Sequence, residues 1–240
     1  CFAFFHPQLP GEPLIFVEVA LLPEMPDAIG PLIDVHSEPK ADERQFKLAA
    51  FYSISNCQPG LKGVSLGNFL IKRVAEQLQR EFPQLRTFCT LSPIPGFTGW
   101  LGKHGAGLGE RAELPSKLRT RLQAVVETLK EAGGGEIAGA SSLDPSTAPE
   151  PLREALMALA ALYLAREAVT PRGGPVGQVH LGTRARLERL NWGGDRSRKG
   201  LKQSLGLMVN YLYDLRHIED HHERFVQGEV VSSRTLSRLL

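Results

Sequence analysis

The hydrophobic and polar positions follow two different periods along the chain. In roughly the first quarter, apolar runs rich in Phe, Val and Ile alternate with short polar breaks. This pattern predicts strands over "CFAFFHP", "LIFVEVALL" and residues 46–55. From Ser65 the apolar residues recur at helical spacing until Pro83 interrupts them, which predicts an amphipathic helix from residue 65 to about residue 82.

The remaining segments continue this interleaving. The run "LRTFCTLS" predicts a strand closed by "PIPG", and residues 116–130 and 151–168 are predicted helices. The Gly/Ala/Ser-rich segment near 132–150 is expected to be a variable loop. "VHLGTRARLERLNW" predicts a strand and a short turn, and residues 200–222 a mostly helical stretch. Interleaved strands and helices favour one α/β (α+β) domain with a mixed sheet over residues 1–240.

The composition narrows the class of protein. The chain is 42% hydrophobic and 22% charged, as expected of a globular protein with a sizeable core, and its net charge of +2 argues for neither nucleic acid nor an anionic membrane. The longest apolar run, near residues 14–22, contains Glu18 and is too short to span a bilayer. No signal peptide is visible, and three cysteines without a C-x-x-C pair predict free thiols. A start at Cys1 rather than Met predicts a fragment or a processed chain.

The motif "GVSLG" has two functional interpretations. It fits a G-x-S-x-G nucleophile elbow around Ser65, in which a strand runs almost directly into the motif. Here the predicted strand ends near residue 55, and seven residues separate it from Gly63. It also fits a phosphate cradle, in which glycines bring the backbone close to a ligand at a helix N-terminus. Ser65 would then be the N-cap, and Lys62 would add charge. A glycine-containing turn that only caps a core helix is the structural alternative.

Two polar segments are weaker candidates. In "HIEDHHE", His217 and His221 are four residues apart, but no third ligand is evident, so a solvated helix face without metal is expected. "NWGGDRSRKG" is either a polar loop or a source of cations for phosphate groups. Its polar residues are Asn191, Asp195, Arg196, Arg198 and Lys199.

Three long blocks in the same order resemble the catalytic domain of the malonyl-CoA decarboxylase family. They are "FYSISNCQPGLKGVSLGNFLIKRVAEQLQREFPQL", "LSPIPGF" with Trp100 close behind, and "VHLGTRARLERLNWGGDRSRKGLKQSLGLMVNYLY". The resemblance runs from about residue 1 to residue 213 and is weaker over about 102–176. It implies a GNAT-type acetyltransferase fold, a mixed, largely antiparallel sheet flanked by helices. It also implies an upstream helical domain that this chain lacks, and a homo-oligomer in the full-length protein.

The resemblance also assigns site residues. The CoA-thioester-binding segment matches Lys62, Gly63, Val64, Ser65, Leu66, Gly67 and Asn68. The catalytic serine and histidine match Ser92 and His180, and Tyr213 falls on a tyrosine position near the thioester. One departure is Ser65, which stands where family members carry glutamate. This departure puts in doubt whether a carboxylate helps to position the catalytic groups here.

The implied reaction is decarboxylation of malonyl-CoA to acetyl-CoA and carbon dioxide. Ser92 would orient the carboxylate, and His180 would protonate the enolate, because a histidine pKa lies near working pH. No cofactor, metal, nucleic acid or membrane partner is expected, and the composition leans towards a bacterial, cytoplasmic protein. The alternatives are a CoA-dependent acyltransferase on the same fold, an inactive CoA-ester-binding module, and a serine hydrolase using Ser65, Asp144 and His180.

Overall fold

The computed structural model of the 240-residue chain describes residues 1–34, 36, 42–61, 64, 66–110, 116–132, 146–167, 185–213 and 230–239. The strands of these ranges are β1 (Phe2–His6), β2 (Leu9–Leu22), β3 (Leu48–Asn56), β4 (Thr87–Thr90), β5 (Ser92–Pro93), β6 (Arg186–Asn191) and β7 (Met208–Tyr213). The α-helices are α1 (Gly30–Ile33), α2 (Gly67–Glu81), α3 (Phe97–His104), α4 (Ser116–Ala132), α5 (Glu150–Leu162), α6 (Arg198–Ser204) and α7 (Arg234–Ser237). Short 3-10 turns cover Glu43–Gln45, Pro59–Leu61 and Gly105–Glu110, and a π-helical turn covers Tyr163–Glu167.

The strands form a mixed, mostly antiparallel sheet flanked by helices, which confirms the predicted fold class. Hydrogen-bonded neighbours follow the order β1-β2-β3-β4-β7-β5, and β6 pairs with β7. Only β3 and β4 are parallel among the pairs with a defined register. The registers are set by Phe2 with Val17, Phe16 with Ser55, Ala50 with Cys89, and Cys89 with Leu212.

Helix α2 connects the two parallel strands, which require a crossover. Its apolar residues repeat at helical spacing, so one face is buried and the other carries charges. The buried residues are Leu70, Ile71, Val74, Ala75 and Leu78, and the exposed ones include Lys72, Arg73 and Arg80. The predicted helix over 65–82 is confirmed, with the start moved to Gly67 and the end at Glu81, two residues before Pro83.

The described residues divide into two compact units. One contains those of 1–92, 185–187, 210–213 and 230–231, and the other contains those of 93–167, 188–209 and 232–239. The core of the first unit includes Ile15, Val17, Phe51, Leu70 and Phe88. The core of the second includes Phe97, Leu101, Leu122, Leu156 and Leu159. One catalytic domain over 1–240 stays a prediction, and most of the predicted variable loop near 132–150 lies outside the described residues.

The prediction of a mostly helical segment over 200–222 is wrong for its described part. Helix α6 ends at Ser204, because Leu205 and Gly206 adopt positive φ angles of 55° and 77°. The following residues, "MVNYLY", form β7 and are almost fully buried. Valine and tyrosine at alternate positions favour a strand, and this preference explains why the segment is not helical.

Helix α3 was not predicted at all. Its sequence "FTGWLGKH" contains two glycines, which weaken helix propensity. The helix forms because Phe97, Trp100 and Leu101 are buried in the second unit. Helix α5 is shorter than predicted, since its regular hydrogen bonding stops at Leu162 and a π-helical turn continues to Glu167. No described helix is both long and apolar enough to cross a membrane.

Candidate active site

The segment between β3 and α2 carries part of the predicted CoA-binding loop. Strand β3 ends at Asn56, and a 3-10 turn over Pro59–Leu61 separates it from the helix. The Asn56 Nδ2 donates to the Leu61 carbonyl over 3.0 Å, and the Val64 N–H donates to the same oxygen over 3.0 Å. The strand therefore does not run directly into the G-x-S-x-G motif, as a nucleophile elbow requires.

The start of α2 is described from Leu66 onward. Leu66 precedes the first helical residue and makes no side-chain capping bond, and the predicted N-cap, Ser65, lies outside the described residues. The first-turn N–H groups of a helix have no intrahelical partner and carry partial positive charge. Gly67 is buried, and a Cβ there would lie 3.4 Å from Ile54 Cγ2, so the helix begins close against β3.

The predicted loop is only partly described. Val64 is exposed, Leu66 is half-buried, and Gly67 begins the helix. Lys62, Gly63, Ser65 and the side chain of Asn68 lie outside the described residues. Two exposed groups follow on the helix, Phe69 and the Arg73 guanidinium, which lies 5.3 Å from the centre of the Phe69 ring.

Ser92 lies just beyond β4 and is almost completely buried, with 5% of its surface exposed. Its hydroxyl donates to Thr90 Oγ1 over 2.9 Å. The same Thr90 oxygen accepts from the Tyr211 N–H over 3.4 Å. The predicted catalytic serine is therefore part of a buried polar cluster where β4 meets β7.

Asn210 completes this cluster. Its side chain is fully buried, and its Nδ2 donates to the carbonyl oxygens of Thr90 and Pro26 over 2.9 and 3.1 Å. Neither Thr90 nor Asn210 was a predicted site residue. The available signal was a polar residue inside each of two apolar strands, "TFCT" and "MVNYLY", since such residues need partners when buried.

Tyr213 is the last residue of β7 and pairs with Phe88 in β4. It is 9% exposed, and its ring meets the Phe51 ring edge-on at a centroid distance of 6.5 Å. Tyr213 thus lies opposite the residue four positions before Ser92, on the same pair of strands. The third predicted catalytic residue, His180, lies outside the described residues.

The polar loop after β6 is built around Asp195. The Asp195 carboxylate accepts from the Ser197 N–H over 2.9 Å, and its own N–H donates to the Gly206 carbonyl over 3.1 Å. Asn191 is buried, whereas Arg196, Arg198 and Lys199 are exposed. Asp195 therefore shapes the loop, and the three cations are the ones accessible to an anion.

No group of three or more metal-ligating side chains gathers among the described residues. The pair His217 and His221 falls outside them. The second unit contains a shallow cavity of about 380 Å³ lined by Lys103, His104, Gly107 and Glu167. This described lining includes no residue of the predicted site.

Comparison with known proteins places the chain in a family. A family model described as "Malonyl-CoA decarboxylase C-terminal domain" matches residues 1–240. The mitochondrial malonyl-CoA decarboxylases of Anser anser anser and Mus musculus are 39% and 41% identical to the chain in alignments of 228 residues that cover 90% of the chain. The crystal structure of malonyl-CoA decarboxylase from Cupriavidus metallidurans is 43% identical, covers 99% of the chain and superimposes with a TM-score of 0.79.

The match is partial on the side of these relatives. The aligned region is 44% of the Anser protein, 45% of the Mus protein and 57% of the solved Cupriavidus chain. The chain thus spans about half the length of the relatives it matches. Because the family model matches residues 1–240, the chain belongs to the malonyl-CoA decarboxylase family.

Proposed function

We propose that the protein decarboxylates malonyl-CoA to acetyl-CoA and carbon dioxide. The observation that carries the proposal is the buried Ser92 hydroxyl, held 2.9 Å from Thr90 Oγ1, in a chain of this family. Serine at this position would meet the substrate carboxylate in a site with little water. Family membership supports the substrate class, and the buried cluster supports a defined role for the serine.

The reaction needs charge stabilisation and one proton. The bond between the α-carbon and the carboxylate breaks, and its electron pair moves into the thioester to give the enolate of acetyl-CoA. Carbon dioxide leaves, and the α-carbon then takes one proton. Groups that bind the developing enolate more tightly than the substrate accelerate the first step, and a positioned acid accelerates the second.

Ser92 is proposed to orient the departing carboxylate. A hydroxyl can donate one hydrogen bond to a carboxylate oxygen, and such charge-assisted bonds are stronger than neutral ones. Holding the scissile bond out of the thioester plane aligns its electron pair with the carbonyl. His180 is proposed as the proton donor, and Tyr213 as a group near the thioester.

The loop before α2 is proposed to hold the CoA part of the substrate. Its residues are Lys62, Gly63, Val64, Ser65, Leu66, Gly67 and Asn68. The start of α2 supports this, because first-turn N–H groups attract phosphate oxygens. The reaction as proposed needs no cofactor, since the thioester itself accepts the electron pair.

The test of the proposed function compares Ser92→Ala with Ser237→Ala. Purified protein is incubated with malonyl-CoA, and acetyl-CoA is followed by mass. The wild-type protein and Ser237→Ala, an exposed serine, are expected to form acetyl-CoA at equal rates. Ser92→Ala should lose about 100-fold or more in kcat, in the range seen for positioned catalytic groups, with a smaller change in KM. Equal rates for Ser92→Ala and wild type would refute the role given to Ser92.

Other outcomes separate the alternatives. Acylated product from acetyl-CoA and an amine, without decarboxylation, would favour an acyltransferase. Saturable malonyl-CoA binding without turnover would favour a binding module. The hydrolase alternative requires labelling of Ser65 by a fluorophosphonate, and β3 ending at Asn56 argues against it.

Compartment and assembly are also part of the proposal. We propose a cytoplasmic location, because the chain's composition leans bacterial and the match to a solved bacterial relative covers 99% of it. We propose a homo-oligomer for the full-length protein, as the family resemblance implies. The two vertebrate relatives are named as mitochondrial, which points to another compartment for those proteins. Cell fractionation and light scattering of the natural protein test the two statements separately.

A further inference from the structure

The hydrogen bonds between β4 and β7 involve side chains at Thr90. Backbone pairing runs from Phe88 opposite Tyr213 to Cys89 opposite Leu212. At the next level side chains take part: the Tyr211 N–H donates to Thr90 Oγ1, and the Thr90 carbonyl accepts from Asn210 Nδ2. Thr90 is therefore fixed at its side chain and at its backbone, two residues before Ser92.

This cluster is cut off from water. Thr90, Ser92 and Asn210 have 1%, 5% and 0% of their surfaces exposed. Polar groups in such surroundings are retained with hydrogen-bond partners, because burying them without partners is costly. The Oγ atoms of Ser92 and Thr90 lie 2.9 Å apart, within the range of a hydroxyl–hydroxyl hydrogen bond.

We propose that Thr90 is a positioning residue for Ser92, an inference that rests on the proposed function. Each hydroxyl has one proton to donate and two lone pairs that accept. In the structure Ser92 donates to Thr90. When a substrate carboxylate accepts the hydrogen bond of the Ser92 hydroxyl in place of Thr90, Thr90 can rotate its own hydroxyl and donate to Ser92 Oγ without movement of either oxygen.

The reversed bond gives a chain from Thr90 through Ser92 to the carboxylate. Hydrogen bonds in series polarise one another, so Thr90 makes Ser92 a better donor to the charged substrate. No covalent bond forms or breaks in this step. Asn210 helps to fix the position of Thr90, because its Nδ2 group donates one hydrogen bond to the Thr90 carbonyl and another to the Pro26 carbonyl.

The test is a comparison of Thr90→Val with Thr90→Ser in the decarboxylation of malonyl-CoA. Valine keeps the shape of threonine and removes the hydroxyl, so kcat should fall about tenfold, the effect of one hydrogen bond, with a smaller change in KM. Serine keeps the hydroxyl and should retain most of the wild-type kcat. Melting temperatures of both variants verify folding, because valine also removes the acceptor of the Tyr211 N–H.

A double variant separates positioning from a purely structural role. If Thr90 acts through Ser92, adding Thr90→Val to Ser92→Ala should cause no further loss of kcat. Independent, multiplying losses would overturn the inference, and so would a wild-type kcat in Thr90→Val. If the valine variant does not fold, Thr90→Ala takes its place in the same cycle.

The failure of this inference differs from the failure of the proposed function. If Ser92→Ala loses kcat and Thr90→Val keeps full activity, only the role proposed for Thr90 is refuted. Full activity in Ser92→Ala, or no acetyl-CoA from the wild-type protein, removes the proposed function and this inference with it.

Discussion

Gly96 sits at the turn from "SPIP" into α3, and its φ angle of 80° lies in the left-handed region. A Cβ at this position would lie 3.0 Å from the Tyr163 hydroxyl oxygen, which is itself held by a 2.9 Å hydrogen bond to the Pro95 carbonyl. Gly96→Ala should therefore lower the free energy of unfolding by about 1–3 kcal/mol. Urea titration followed by far-UV circular dichroism measures the change.

Gly99 is the matched control inside α3. A Cβ there meets nothing within 4 Å, so Gly99→Ala should be neutral or should stabilise by up to about 1 kcal/mol through helix propensity. Equal effects of the two substitutions would mean that the turn at Gly96 does not depend on the missing Cβ.

Asn210 gives a second prediction at the residue scale. Asn210→Ala leaves the carbonyls of Thr90 and Pro26 without this donor in a fully buried place, so it should destabilise the protein by about 1–3 kcal/mol. Asn56→Ala removes a single, exposed hydrogen bond to Leu61 and should cost less than about 1 kcal/mol. Thermal unfolding of both variants compares them, and equal losses would contradict the importance of burial.

Single residues differ in how far the sequence predicts their roles. Ser92 could be proposed because a long block around it resembles a family, not because a serine before a proline predicts catalysis. Thr90 and Asn210 stand out as polar residues in apolar runs, but their partners could not be predicted, since these lie 120 and 184 positions away along the chain. Hydrogen bonds of this kind depend on which strands pair, and β4 and β7 come from distant parts of the chain.

Among the elements, the π-helical turn after α5 begins at Tyr163 and ends at Glu167, and it makes the stability of the protein dependent on pH through Tyr163. Burial raises the pKa of the Tyr163 hydroxyl above its ordinary value of 10.0, and the nearby Glu167 carboxylate raises it further. The folded protein thus holds this proton more tightly than the unfolded chain does. The resulting stability is fully present below pH 10.0 and is lost as the pH rises through the folded-state pKa.

Tyr163→Phe tests this pH dependence. Near neutral pH the variant loses the hydrogen bond to Pro95 and should be less stable by about 1 kcal/mol. Above pH 10.0 the wild-type protein loses stability that the variant does not, so the difference between them should narrow. The pH dependence of stability in Tyr163→Phe is compared with that in Tyr52→Phe. Burial is the larger cause that raises the pKa of Tyr52, and the charge of Glu18 raises it further. A constant difference across this range would contradict the assignment to Tyr163.

Elements with strong periodicity were predictable, and those made by tertiary packing were not. Helix α2 followed from its apolar spacing and Pro83, and β1, β2 and β3 followed from their apolar runs. Helix α3 contains two glycines and depends on aromatic contacts, including a 5.3 Å ring distance between Trp100 and Tyr163. Strand β7 was predicted to be helical, although helix α6 ends at Ser204 and three residues separate it from β7.

At the scale of the whole molecule, interleaved strands and helices predicted the mixed sheet, and the resemblance predicted that it is mostly antiparallel. The pairing of β4 with β7 joins segments more than 100 residues apart, and this pairing creates the cluster around Ser92. Such long-range contacts follow from the complete fold rather than from local pattern. The roles of His180 and of the loop from Lys62 to Asn68 remain predictions from resemblance.

Decarboxylation of malonyl-CoA in heavy water tests the proposed reaction and the role of Ser92 together. The purified protein is incubated with malonyl-CoA in D₂O, and the mass of the acetyl-CoA is measured against a control without protein. The proposed enolate takes its proton from solvent-exchangeable groups, so the enzymatic product should carry deuterium at the methyl carbon, and its rate of formation should fall sharply in Ser92→Ala. The proposed reaction is contradicted if no acetyl-CoA forms above the control, and the role of Ser92 is contradicted if Ser92→Ala forms acetyl-CoA as fast as the wild-type protein.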